Sequence, residues 1–117
     1  MTRLIALIFA LSLPAAALAD GFAKVADKNR FVSLVQNKQL HYPGIRLNVT
    51  PDGKIVGRAL GREVTGGWSW QSGYFCREIF WGTREIGYNC QEVRVSGDKL
   101  RFTSDKGTGR YADLTLK

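Results

Sequence analysis

Histidine, methionine and proline are scarce: the 117-residue chain has one His, one Met and three Pro. A single histidine, His41, cannot build a multi-histidine metal site, and a Cys–His dyad would compete with a disulfide. It stands beside Tyr42-Pro43 and reads as an ordinary surface residue. Neither Gly-x-Gly-x-x-Gly nor Gly-x-x-x-x-Gly-Lys-Ser/Thr occurs, so no dinucleotide turn or phosphate-cradling loop is encoded. The glycine-rich stretch "GRALGREVTGG" fits neither pattern and has no βαβ unit around it. Ten acidic residues stand against 17 basic ones, dispersed and without a paired-carboxylate motif. These absences point to a non-catalytic protein that uses neither metal nor cofactor.

What is present begins with an export signal. Met1-Thr2-Arg3 precedes the apolar run "LIALIFALSLPAAALA", which ends Ala17-Leu18-Ala19. Charged start, apolar middle and small-residue end form a secretory leader, with cleavage expected after Ala19. Pro14 and the small residues behind it leave too little for a spanning helix, which needs about 20 apolar residues. The expected mature chain, Asp20 to Lys117, is one small domain in the periplasm or outside the cell, with no transmembrane segment. Loss of Arg3 takes one unit from the net charge of +7. Lys24, Lys28, Arg30, Lys38, Arg46, Lys54, Arg58 and Arg62 are scattered, as on a solvated surface that attracts anionic partners weakly.

Patterning separates one helix from a run of strands. Asp27 can cap a helix over 27–38, with Phe31, Leu34 and Val35 on one face. "HYPGI" then breaks it. Ile45, Leu47 and Val49 alternate with Arg46, Asn48 and Thr50, a half-buried strand. "TPDGK" is a hairpin turn, since Pro51 presets φ and Gly53 takes positive φ. Further strands are expected at Lys54–Leu60, from Trp68, and at Tyr74–Trp81, Ile86–Val95, Lys99–Thr103 and Arg110–Leu116, with "GREVTGG" as a connection. The fold class is therefore all-β with one N-terminal helix: an antiparallel meander of about seven strands, forming a small lipocalin-like barrel or half-barrel.

Cys76 and Cys90 fit that register. A turn centred on Thr83 places them directly opposite, within disulfide range, as an exported chain with two cysteines favours. Glu78 then falls on the cysteine face, so that face reaches solvent there or a bulge shifts the strand. Trp68 and Trp70 share a face, and with Tyr74 and Tyr88 they are candidate core or ligand-lining aromatics. An unfilled void costs about 24 cal/mol per Å³, which favours a largely filled core with a shallow aromatic mouth. On its rim Arg77 and Arg84 are the candidate anion contacts. "GYFCREIFW" and "KLRFTS" resemble base-stacking strands, but export argues against nucleic acid. Asn48-Val49-Thr50 is a glycosylation sequon disfavoured by Pro51.

The frame Trp68-x-Trp70-x-x-Gly73-x-x-Cys76-Arg77, then Cys90-Gln91, then Gly97-Asp98-x-Leu100-Arg101-Phe102-Thr103 resembles small exported bacterial proteins of the DUF995 type. The likeness runs from Phe22 to the end and implies no activity. Relatives of such chains often carry the name dihydrodipicolinate reductase. That activity needs a nucleotide-binding Rossmann domain and a substrate domain with paired histidines and a lysine. Neither half fits this length, and none of its catalytic residues maps onto this chain.

Two functional expectations follow. One is a secreted or periplasmic binding module for an apolar or anionic ligand. The other is a protein-interaction factor, such as a periplasmic protease inhibitor or a partner of another envelope protein. Without a pyrophosphate-binding turn, the protein is expected to bind no nicotinamide cofactor. Saturable heat on titrating NADPH at micromolar concentration would refute that exclusion.

Overall fold

The computed structural model describes residues 21–117. The expected leader and its cleavage point lie outside the described residues. Within them the chain forms β1 (Ala23–Lys24), α1 (Lys28–Val35), β2 (Leu40–Tyr42), β3 (Ile45–Val49), β4 (Lys54–Ala59) and β5 (Arg62–Gln71). There follow β6 (Tyr74–Trp81), β7 (Arg84–Ser96), β8 (Lys99–Thr103), the four-residue turn α2 (Ser104–Gly107) and β9 (Tyr111–Leu116). All strand pairs are antiparallel: β2 through β9 follow one another around a closed eight-stranded barrel. Closure runs through β9, which pairs with β2 on one edge and β8 on the other, while β8 pairs with β7.

The barrel is thus closed rather than half-closed, and the strand count exceeds the expected seven. Two short strands were hidden from periodicity. β1 is too brief to show a pattern and joins through Ala23↔Val95 and Lys24↔Arg94. β2 comes from "HY" of the supposed helix breaker, where only Pro43-Gly44 turns the chain. A third difference is "GREVTGG", which is strand β5 and not a connection. At Gly57 and Gly66 the sheet coils so tightly that a Cβ would stand 2.0 Å from the Arg46 carbonyl oxygen and 2.1 Å from that of Glu78. Glycine there is a requirement of close strand approach rather than a sign of a loop.

The Cys76–Cys90 disulfide joins directly opposed residues of β6 and β7, with Cα atoms 3.9 Å apart. Closing a loop of this length stabilises the fold by about 3 kcal/mol in the chain-entropy model. Glu78 stands on the outer face, exposed, opposite exposed Tyr88. A bulge is also present: Ile79 pairs with Gly87, but Phe80 pairs with Glu85 and Trp81 with Arg84. The turn is therefore Gly82-Thr83, and Ile86 is the extra residue.

Helix α1 closes one end of the barrel. The Asp27 carboxylate accepts from the Arg30 amide at 2.9 Å, a side-chain cap that starts the helix. It stops at Val35, short of the expected Lys38, because Gln36 is extended and Asn37 takes φ 62°. Phe31 enters the barrel with 0% of its surface exposed. Its ring meets Trp68 and Trp70 at 5.2 Å, Phe75 at 5.0 Å and Phe102 at 6.3 Å. Val25, Val35, Val93 and Leu100 fill the space around this cluster. Among the described residues no helix is long and apolar enough to cross a membrane.

Truncating Phe31 to Ala should destabilise the protein by about 3–5 kcal/mol, the cost of removing a fully buried aromatic ring. Urea denaturation followed by circular dichroism checks this. A loss under about 1 kcal/mol would mean that Phe31 does not hold the end of the barrel.

Candidate functional site

A meander alternates its turns between the two ends of a barrel. Pro51–Gly53, Ser72-Gly73 and Gly97-Asp98 lie at the end closed by α1. Pro43-Gly44, Leu60-Gly61, Gly82-Thr83 and the β8–β9 connection with the short turn α2 lie at the other, which α1 does not cover. The inward residues of β2, β3 and β4 are Leu40, Ile45, Leu47, Val49 and Ile55; Leu40, Val49 and Ile55 are buried toward the closed end, whereas Ile45 and Leu47, nearer the open end, are only half-buried. A cavity of about 430 Å³ results. Phe75 and Phe102, 5.3 Å apart and both against Phe31, lie between it and the plug. A second apolar hollow of about 290 Å³ shares Ile45, Leu47 and Ile79 with it and reaches Leu60, Trp81 and Ile86. The apolar lining therefore continues outward to the open lip.

Two polar side chains stand in the cavity wall, Arg77 and Gln91. Arg77 stands two residues from both Phe75 and Ile79 on β6, so strand geometry turns it inward with them. Its Nη1 donates to the Gly87 carbonyl at 2.9 Å. Among the described residues no carboxylate forms an ion pair with it; the three ion pairs are Glu92–Arg94, Asp98–Lys99 and Arg101–Asp113. Burial holds its guanidinium below the usual arginine value, though arginine remains cationic at ordinary pH. The cavity is thus apolar with one positive charge lacking a counter-ion. Gln91 donates through Nε2 to Ser104 Oγ at 3.3 Å. Next to it, Asn89 and Asp105 exchange two bonds, Asn89 Nδ2 to Asp105 Oδ1 at 2.8 Å and the Asp105 amide to Asn89 Oδ1 at 2.9 Å. These bonds tie the β8–β9 connection to β7, where β8 covers only Glu92 to Ser96.

The candidate residues separate. Trp68 is buried in the plug, its Nε1 donating to the Thr50 carbonyl at 2.8 Å. Trp70 stacks on Phe31, and its Nε1 is buried without a hydrogen-bond partner. Tyr74 sits on the outer face between Lys24 and Lys106, whose ammonium groups lie 5.8 and 5.6 Å from its ring. Tyr88 is 61% exposed outside the barrel. None of these four lines the cavity. Of these four candidates the two tryptophans belong to the plug and the two tyrosines to the outer surface, while the aromatic residues at the open end include Tyr42 and Trp81. Arg84 is exposed at the β6–β7 turn, while Arg77 is inside rather than on the rim. His41 lies on β2, half-buried, with Nε2 3.1 Å from Gln39 Oε1. Asn48 of the sequon accepts from Gln39 Nε2 at 3.2 Å within β3.

The cavity-lining aliphatics were expected as the inner face of a strand, without a hint that they enclose space. Arg77 was expected as an anion contact on the rim; its place on the same strand face as Phe75, Ile79 and Trp81 was the signal for its inward direction. No family model, curated protein or solved structure matches the chain. The reading of the site therefore rests on its geometry.

An arginine kept for structure and one kept for a ligand differ in what their removal costs. Breaking a buried ion pair costs about 3–5 kcal/mol, whereas replacing a desolvated charge by an apolar group of similar volume is often neutral or stabilising. Arg77→Met should therefore leave the urea midpoint within about 1 kcal/mol of the parent or raise it. A loss above about 3 kcal/mol would assign Arg77 to the fold.

Proposed function

We propose that the protein is a non-catalytic binding module, a small lipocalin-like carrier whose barrel holds one amphiphile. The apolar body of the ligand occupies the cavity, and its anionic group pairs with Arg77. The observation that carries this reading is the guanidinium without a counter-ion in an otherwise apolar space of about 430 Å³. An apolar cavity alone would suit any hydrocarbon. A half-buried charge in an apolar wall gains from a partner, and a carboxylate or phosphate is the partner that arginine's planar fork fits best.

Size narrows the ligand. An engineered cavity of about 150 Å³ accepts benzene, and ligand pockets run from about 300 to 1,000 Å³. A medium-length acyl chain or a ligand of two or three small rings suits this volume. The expected leader and the disulfide, which persists in oxidising compartments, support a periplasmic or extracellular carrier.

Calorimetric titration with decanoate and decanol tests it. The parent should bind decanoate at least about tenfold more tightly than decanol, about 1.4 kcal/mol for one charge-assisted pair. Arg77→Met should abolish that preference while keeping the alcohol's affinity. Absence of binding by either compound, or a preference for decanoate that survives in Arg77→Met, would overturn the reading.

A further inference from the structure

The open end carries a second feature that the cavity does not require. Leu60 stands at the tip of the β4–β5 turn, 72% exposed, with φ at 50°. That left-handed position favours Asn, Asp or Gly and disfavours leucine. Its side chain leans over Gly44 of the neighbouring turn, where a Cβ would come within 2.8 Å of Leu60 Cδ2. Ile86, the bulge residue, is 50% exposed, and Tyr42 is 48% exposed. Three large apolar side chains thus project from three different hairpins around one opening. Folding gains little from any of them.

Around these tips the charge is mainly positive. Arg46 and Arg58 are directly opposed on β3 and β4, and Arg62 and Arg84 begin β5 and β7. Like charges placed directly opposite on a sheet repel. None of the four is in an ion pair among the described residues, although Glu63 stands directly opposite Arg58 on β5 and Glu85 lies next to Arg84 on β7. Arg58 Nη2 donates to the Gly61 carbonyl at 2.6 Å, and Arg62 stacks 4.4 Å from Trp81. Between Arg46 and Arg58 lies a polar hollow of about 390 Å³, bounded also by His41 and Gly61. It has room for a phosphate held by two guanidinium groups.

We infer that this end docks on an anionic phospholipid surface. Leu60, Ile86 and Tyr42 enter the boundary between headgroups and acyl chains, while Arg46 and Arg58 hold a lipid phosphate. Exposed apolar tips on three hairpins beside a cluster of arginines match a lipid interface, where apolar groups insert and basic groups meet anionic headgroups. A protein partner would instead be met by a contiguous apolar patch with a closely packed centre. The docked end is also the end at which the cavity lining reaches the lip, so a ligand can pass between bilayer and barrel with little exposure to water.

The test is co-sedimentation of the purified protein with vesicles of phosphatidylglycerol and phosphatidylcholine, against vesicles of phosphatidylcholine alone, with every variant sharing the same verified N-terminus. Binding should need phosphatidylglycerol and weaken between low and physiological salt, because exposed charges are screened within about 8 Å. Arg46→Gln with Arg58→Gln, and separately Leu60→Asn, should each lower the partition coefficient at least about tenfold. Asparagine suits the left-handed turn, and unchanged melting would show these variants folded. Arg77→Met should leave vesicle binding intact, which separates this inference from ligand binding in the cavity. Equal binding to neutral vesicles, no binding to either kind, or binding unmoved by both rim variants would overturn it. A protein-docking surface would give the second of these results.

Discussion

Eight strands closed on themselves enclose an interior that side chains can only just fill, and in this protein Phe31 decides which half is filled. Its ring brings Trp68, Trp70, Phe75 and Phe102 together. Large aromatic groups supply most of the area that so short a chain can bury. With one end packed around the helix, the other leaves a mainly aliphatic hollow, with Arg77 and Gln91 in its wall and Tyr42 and Trp81 near its lip. Plug and cavity are two results of one distribution of side-chain volume along the strands.

Electrostatics divides along the same axis. Arg101 and Asp113 form a bidentate pair at 2.8 and 3.0 Å on the wall, and Arg94 pairs with Glu92 at 2.9 Å. Both are half-buried pairs that satisfy themselves. Arg77 in the cavity and Arg46, Arg58, Arg62 and Arg84 at the lip form no ion pair among the described residues. An anion arriving at the open end meets charges that the fold has left available. The disulfide and the Gly53 turn, whose amide donates to the Thr50 carbonyl at 3.1 Å, instead serve the wall.

Local chemistry made several elements legible in advance. The Asp27 cap, the TPDGK hairpin and the opposition of Cys76 to Cys90 each depend on residues within a few positions or on one two-strand register. Period-two alternation at Ile45, Leu47 and Val49 also reads directly, because strand geometry imposes it residue by residue. Glu78 raised the possibility of a bulge, but its place at Ile86 did not read, since a turn centred on Thr83 satisfies the cysteines equally well. β5 was obscured by Gly66 and Gly67: glycine marks loops and close strand contacts alike, and only the neighbouring strand distinguishes them.

The sequence alone determined an antiparallel chain with a helix in front, a disulfide in one hairpin, and an inventory of arginines and aromatics without nucleotide or histidine-rich metal motifs. Those properties are local or compositional. Closure of the sheet, the plugging of one end by Phe31, and the placing of Arg77 in a hollow rather than on a rim were decided by tertiary structure. Each depends on which distant strands meet and how much volume they bring: Leu116 pairing with Leu40, or Phe102 reaching Phe75. Alternation tells a side chain which face it occupies. Only the assembled barrel tells that face whether it meets another side chain or a space.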